Sequence, residues 1–255
     1  MVRGIDFFRT HFRDYTDYFT LIGGTACELT LSELGGFRAT RDIDMLVLLE
    51  NMNPDFAEHF HDFIRNGQYK CYFSKDGKRH FYRFLEPENR DYPPQIELLS
   101  RSMIPEHPEL KYTPVSADDY IRSMSAIILS EDYYNYTLRH RVVKQSLPCL
   151  DTEALIVFKT AAYLNLYAQK ADNPASVRSS DLLKHRNDIF RLLGTLEGTS
   201  KAGIPEMIRE NQQEFIELFP VDHPEWNAII QSQGALADTV ENYRRKFIDF
   251  FGLLA

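Results

Sequence analysis

Apolar and polar positions follow two rhythms along the chain, one in each half. In the first half, short apolar runs are separated by glycine, proline and polar turns. Phe7, Phe8, Phe12 and Tyr15 recur at roughly helical spacing and predict an amphipathic helix over Ile5 to Tyr18. Phe19 to Ile22 predicts a short strand that ends at Gly23-Gly24, after which Thr25 is placed to cap a helix from Ala26 to Leu34, with Gly35-Gly36 ending it. Arg41 to Leu49 predicts a strand. Pro54 to Arg65 predicts a helix with Phe56, Phe60, Phe63 and Ile64 on one face. Tyr69 to Phe73 and Arg79 to Leu85 predict a hairpin about Asp76-Gly77, and Gln95 to Leu99 a further strand. Residues 102–116, with Pro105, Pro108 and Pro114, read as loop, and Ser116 to Asp119 resembles a capping box. Met124 to Leu129 and Tyr134 to Val143 have the Ile, Tyr, Thr and Val content of strands.

After Asp151 the rhythm becomes helical almost to the end, over about 152–169, 180–193, 205–218 and 224–250. Strands first and helices afterwards predict an α+β chain: a mixed β-sheet domain flanked by helices over residues 1–150, then a helical domain over residues 151–255.

Composition narrows the function classes. A hydrophobic fraction of 44% and an aromatic fraction of 13% indicate an ordered globular chain. A formal charge of −8 argues against a general polyanion binder, although a small basic patch for one RNA end remains compatible with it. Cys27, Cys71 and Cys149 lie far apart in no metal-like spacing and read as buried thiols of a reducing compartment. No signal peptide is expected, and no stretch approaches the roughly 20 apolar residues of a membrane span. The expectation is a cytoplasmic protein without membrane partners.

Candidate chemistry centres on Asp42-Ile43-Asp44. Side chains two apart on a strand share a face, so two carboxylates stand side by side on a rigid element, downstream of Gly23-Gly24-Thr25. Magnesium takes oxygen ligands, commonly one or two carboxylates together with substrate phosphates. A helix N-terminus directly after a glycine turn is a ready anion site. The bland alternative, a polar edge-strand face, loses weight beside that turn and beside Arg38 and Thr40. Glu97 stands alone among Ile96, Leu98 and Leu99; by alternation it faces solvent, unless it joins the two aspartates as a third carboxylate. Lys159 shares a helix face with Leu155, Ala162 and Leu166, as either a snorkelling side chain or a group that reaches a triphosphate. Lys184 and Asp188 read most simply as a surface i,i+4 pair. Glu58-His59-x-His61 lacks the spacing of two zinc ligands on one helix face. The basic runs Arg139-His140-Arg141 and Lys184-His185-Arg186 read as solvated faces.

Taken together, Gly23-Gly24-Thr25, Arg38-x-Thr40-x-Asp42-Ile43-Asp44, Glu97, Lys159 and Lys184-x-x-x-Asp188 resemble the nucleotidyltransferase superfamily that includes DNA polymerase beta. The likeness is to its AbiEii-type branch, the toxins of bacterial type IV toxin–antitoxin and phage-abortive systems, and it covers residues from about 20 to 195. This chain departs from the family in a longer gap between the glycines and Asp42, in Glu97 at the usual third aspartate, and in His185 where the family places an acid.

The resemblance implies a nucleotidyltransferase fold and transfer of a nucleoside monophosphate from a nucleoside triphosphate. Asp42, Asp44 and Glu97 would hold Mg2+ or Mn2+, and Gly23, Gly24 and Thr25 the phosphates. Arg38, Thr40, Lys159, Lys184 and Asp188 would complete the nucleotide site. It also implies a tRNA 3′ end as acceptor and an antitoxin protein as partner. A non-catalytic nucleotide- or protein-binding member, and transfer to a small molecule, are the competing readings. The intact Asp-x-Asp and Gly-Gly-Thr favour catalysis over the first of these.

Overall fold

The computed structural model describes residues 1–32, 38, 40–48, 54–74, 81–101, 111–115, 127, 130–175, 177–198, 200 and 203–254. They fall into two compact units. Met1–Leu129 with Arg141–Asp151 form a sheet unit, and Ser130–His140 with Thr152–Ala255 a helical unit. The predicted division at residue 150 lies one residue from the last crossing between them. The earlier excursion of Ser130–His140 has no counterpart in the sequence pattern.

The sheet unit contains α1 (Ile5–His11), a 3-10 helix (Arg13–Tyr18), β1 (Phe19–Ile22), α2 (Gly23–Leu31), β2 (Asp42–Val47), α3 (Pro54–Asn66), β3 (Lys70–Ser74), β4 (Phe81–Leu85), β5 (Gln95–Leu99), β6 (Tyr112–Val115), β7 (Arg141–Lys144) and β8 (Leu147–Leu150). The strands form one mixed sheet in the order β6-β3-β4-β5-β2-β1-β8-β7. At its centre β2 runs parallel to β5 and antiparallel to β1, while β4 runs antiparallel to β5. Central strands are enclosed on both faces, which is why β1 and nearly all of β2 and β5 are buried.

One face of this sheet is covered by aromatic packing. Phe8 and Phe12 meet Phe19, and Phe12 meets Phe56, Phe60 and Phe63 of α3. Phe60 in turn reaches Phe84 of β4, at 5.4 Å between ring centres. Alternation then puts Arg83, Glu97, Asp44 and Asp42 on the opposite face.

Five predicted elements differ in detail. The first helix breaks at Phe12 into α1 and the 3-10 helix. Thr25 is the third residue of α2 and caps nothing; its hydroxyl turns to the Asp42 carbonyl instead. Of the stretch predicted as loop over 102–116, only residues 111–115 are described, and they carry β6, an edge strand beside β3, where Pro114 is tolerated because an edge leaves one side of the backbone unpaired. Tyr134 to Val143 is the helix α4 (Glu131–Arg139) followed by β7. Tyr133, Tyr134, Tyr136 and Thr137 are all buried, so packing in the helical unit outweighs their β-like composition. The last predicted helix is interrupted after Gln233, where Gly234 adopts φ +58°. Gly35-Gly36, Asp76-Gly77, Ser116 to Asp119 and most of Met124 to Leu129 lie outside the described residues.

The helical unit joins α4 to α5 (Thr152–Asp172), α6 (Ser179–Thr195), α7 (Glu206–Glu217), α8 (Trp226–Gln233) and α9 (Val240–Phe251). Phe190 lies at its centre, in ring contact with Phe215, Phe219, Trp226 and Tyr243. No described helix is long and apolar enough to cross a membrane. All three cysteines are buried and free of disulfides, and burial pushes the Cys71 and Cys149 thiols up to about 11.

Candidate metal centre

The register of two parallel strands makes the site. Asp44 of β2 lies opposite Glu97 of β5, and Asp42 lies opposite Gln95, so three acids and an amide share one patch of one face. One carboxylate oxygen from each of Asp42, Asp44 and Glu97 lies within 4.8 Å of the others. Among the described residues this is the one group of three or more His, Cys, Asp or Glu side chains close enough to hold a metal ion. Asp44 and Glu97 are each only 3% exposed, while Asp42 is half-buried. Alternation alone would have turned Glu97 to solvent; its neighbours in the sheet enclose it instead.

Glycine brings a helix end to these acids. Gly23 opens α2 with φ +63°, and a Cβ built there would lie 1.8 Å from Asp44 Oδ2, so a side chain would be strained and would displace the Asp44 carboxylate. The next amide, Gly24 N–H, donates to Asp44 Oδ2 at 3.3 Å. α2 has no side-chain N-cap, so its positive end meets the carboxylate directly. The two threonines fix Asp42 rather than a helix end. Thr25 Oγ1 donates to the Asp42 carbonyl at 2.5 Å, and Thr40 Oγ1 lies 3.2 Å from both that carbonyl and Asp42 Oδ1. Arg38 is half-buried on the approach to β2.

Two residues that the sequence pattern did not single out complete the patch. Arg83, opposite Glu97 on β4, gives Nε at 2.9 Å and Nη2 at 2.8 Å to Glu97 Oε1. Gln95 Nε2 donates to the same oxygen at 2.7 Å. A charged residue in the run Phe81-Tyr-Arg-Phe-Leu85 and an amide two residues before Glu97 were the available signals. Burial pushes the Glu97 carboxyl above its ordinary range. Arg83 works against that shift, Asp42 adds to it, and hydrogen bonding to Asp44 and Arg83 lowers it.

The donor set fits a hard divalent cation. Carboxylate oxygens are the ligands that Mg2+ and Mn2+ prefer, and acids this close repel one another unless positive charge is brought among them. Arg83 brings one positive charge to the Glu97 carboxyl.

The predicted residues of the helical unit take a different arrangement. Lys159 Nζ donates to Asp188 Oδ2 at 2.8 Å, and both residues are buried. Asp188 is therefore not on the surface, and its carboxylate meets Lys159 of the neighbouring helix; Lys184 is half-buried. His185 and Arg186 are also buried, so that basic run is no solvated face. In the sheet unit, Arg141 spends its guanidinium on the Thr16 and Phe19 carbonyls. His59 stacks on His11 at 3.9 Å and donates to the His11 carbonyl at 2.8 Å, a packing role.

Among models of known protein families none matches this chain, and no curated protein sequence matches it.

Proposed function

We propose that the protein is a metal-dependent nucleotidyltransferase, transferring a nucleoside monophosphate from a nucleoside triphosphate to an acceptor hydroxyl. In this reading the acceptor is an RNA, the tRNA 3′ end that the AbiEii-type likeness favours. The protein would act as the toxin of a toxin–antitoxin or phage-defence pair, with an antitoxin as partner. One observation carries the chemistry: carboxylates from adjacent parallel strands converge within 4.8 Å beside a glycine-led helix N-terminus.

Bound Mg2+ or Mn2+ would neutralise charge on the attacking and leaving oxygens of an in-line displacement at the α phosphorus. Asp42, Asp44 and Glu97 are the residues that would hold it. The N-terminal turn of α2 at Gly23, Gly24 and Thr25 offers its positive end to the β and γ phosphates, while Thr25 and Thr40 hold the Asp42 backbone in place. Arg38 supplies a further cation for the phosphates. Arg83 and Gln95 hold Glu97 through its Oε1, and the Glu97 carboxylate would take the acceptor's proton. That proton transfer accompanies formation of the new P–O bond, and the bond to pyrophosphate breaks.

The test is incubation with Mg2+, each labelled nucleoside triphosphate in turn and total tRNA, beside an Asp44→Ala control. Label on tRNA and free pyrophosphate are expected from the parent protein, with both lost in the variant. Folded protein that binds nucleotide but transfers no label would instead favour the binding module. For the toxin reading, induced expression should slow growth only with Asp44 intact.

A further inference from the structure

The helical unit contains a cavity of about 460 Å3 that the proposed chemistry does not use. Its lining combines ring surface with hydrogen-bond donors. Tyr163 and Tyr167 lie nearly parallel, 18° apart with centres at 6.0 Å, and Tyr167 is 45% exposed, so ring surface is left open. Arg186 is the unusual member. Its side chain is only 3% exposed, yet it lines the cavity; its partners are Asn187 Oδ1 and Glu225, a carboxylate that is itself 49% exposed. An arginine is seldom buried against so solvated a counter-ion, and an anion entering the cavity can replace it. Lys170 is also in the lining, with Nζ donating to Ser179 Oγ at 2.6 Å. His223 accepts the Glu225 amide on Nδ1, which leaves Nε2–H as a donor.

We infer that this cavity is a nucleotide-binding site, with the base against the Tyr167 ring and the phosphate among Lys170, Arg186 and His223. Its volume suits one nucleotide. Base–aromatic stacking and cationic contact to phosphate are the two interactions that hold single nucleotides without reading their sequence. A free mononucleotide and the terminal nucleotide of an RNA present the same chemistry. Every residue of the site belongs to the helical unit, so it stands whether or not the carboxylates of the sheet unit are catalytic.

The test uses the full chain in EDTA, so that no divalent cation contributes. Two labelled probes are titrated separately: AMP, and a short oligoribonucleotide carrying a terminal phosphate. Saturable binding of at least one is expected. Tyr167→Ala and Lys170→Glu, both at accessible positions, should each weaken it about tenfold, with unchanged thermal unfolding. Asp44→Asn should leave it as it was. Binding of AMP identifies a free nucleotide as ligand, and binding of the oligonucleotide alone identifies an RNA end. No saturable binding of either probe without metal would overturn the assignment, as would binding indifferent to Tyr167→Ala or lost with Asp44→Asn.

Discussion

The sheet unit and the helical unit treat buried charge in opposite ways. In the helical unit Lys159 and Asp188 face one another at 2.8 Å, so opposite charges meet in a buried pair. In the sheet unit Asp42, Asp44 and Glu97 gather like charge within 4.8 Å, two of them almost fully buried, with Arg83 paired to Glu97. A neutral pair holds a fold together. A cluster of like charge works against the fold until a cation or a proton is brought to it. The first is balanced inside the fold, whereas the second becomes favourable when a cation joins it.

Mutations should separate the two most sharply. Asp188→Ala leaves the Lys159 ammonium buried without this partner, and breaking such a pair costs about 3–5 kcal/mol. A large fall in the midpoint of urea unfolding is the expected result. Asp44→Asn removes like-charge repulsion, so the metal-free protein should keep its stability or gain some, while Mn2+ binding is lost. Equal destabilisation by both changes would erase the distinction.

A smaller effect follows from Glu97. Its carboxyl lies above the ordinary 4.5, so without metal the native state holds the proton more tightly than the unfolded chain does. This contribution to stability is complete below pH 4.5 and is lost as pH rises through the raised value. Cation binding requires the ionised form, so Mn2+ affinity should run the other way and increase over that interval. Mn2+ titrations at several pH values check the sign. The Lys159–Asp188 pair has no part in this response, so Asp188→Asn should leave the profile in place.

The smallest effect is expected at His11. Burial, and then the neighbouring His59, hold its pKa below 6.5, while the His59 carbonyl and Asp62 act in the opposite direction. The native ring resists protonation, so its stabilising contribution is present above pH 6.5 and lost as pH falls through the lowered value. Denaturant unfolding at pH 7.5 and pH 5.5 should show a modest loss that His11→Phe diminishes. Because His11 lies in neither charged cluster, Mn2+ affinity should be indifferent to that substitution.

Local pattern was sufficient where an element carried its own periodicity. The α3 face with Phe56, Phe60 and Phe63, the β3–β4 pairing and the long helix α5 were all legible in this way. It was insufficient at Tyr134 to Val143, where tyrosines that favour strands are buried along a helix. Asp42 and Asp44 could be assigned to one strand face because side-chain direction along a strand is a local property. Glu97 could not, because an acid in an apolar strand reads the same whether it faces solvent or a second strand.

Only the parallel register of β2 and β5 decided that Glu97 stands beside Asp44, and only the pairing of β4 with β5 brought Arg83 to it. The same limit applies to Lys159, whose partner lies 29 residues away on another helix. The sequence by itself determined the mixed helix and strand content and the shared face of Asp42 and Asp44, which rest on spacing within single elements. Tertiary structure decided which charges meet, because strand register and helix packing join residues that the chain keeps far apart.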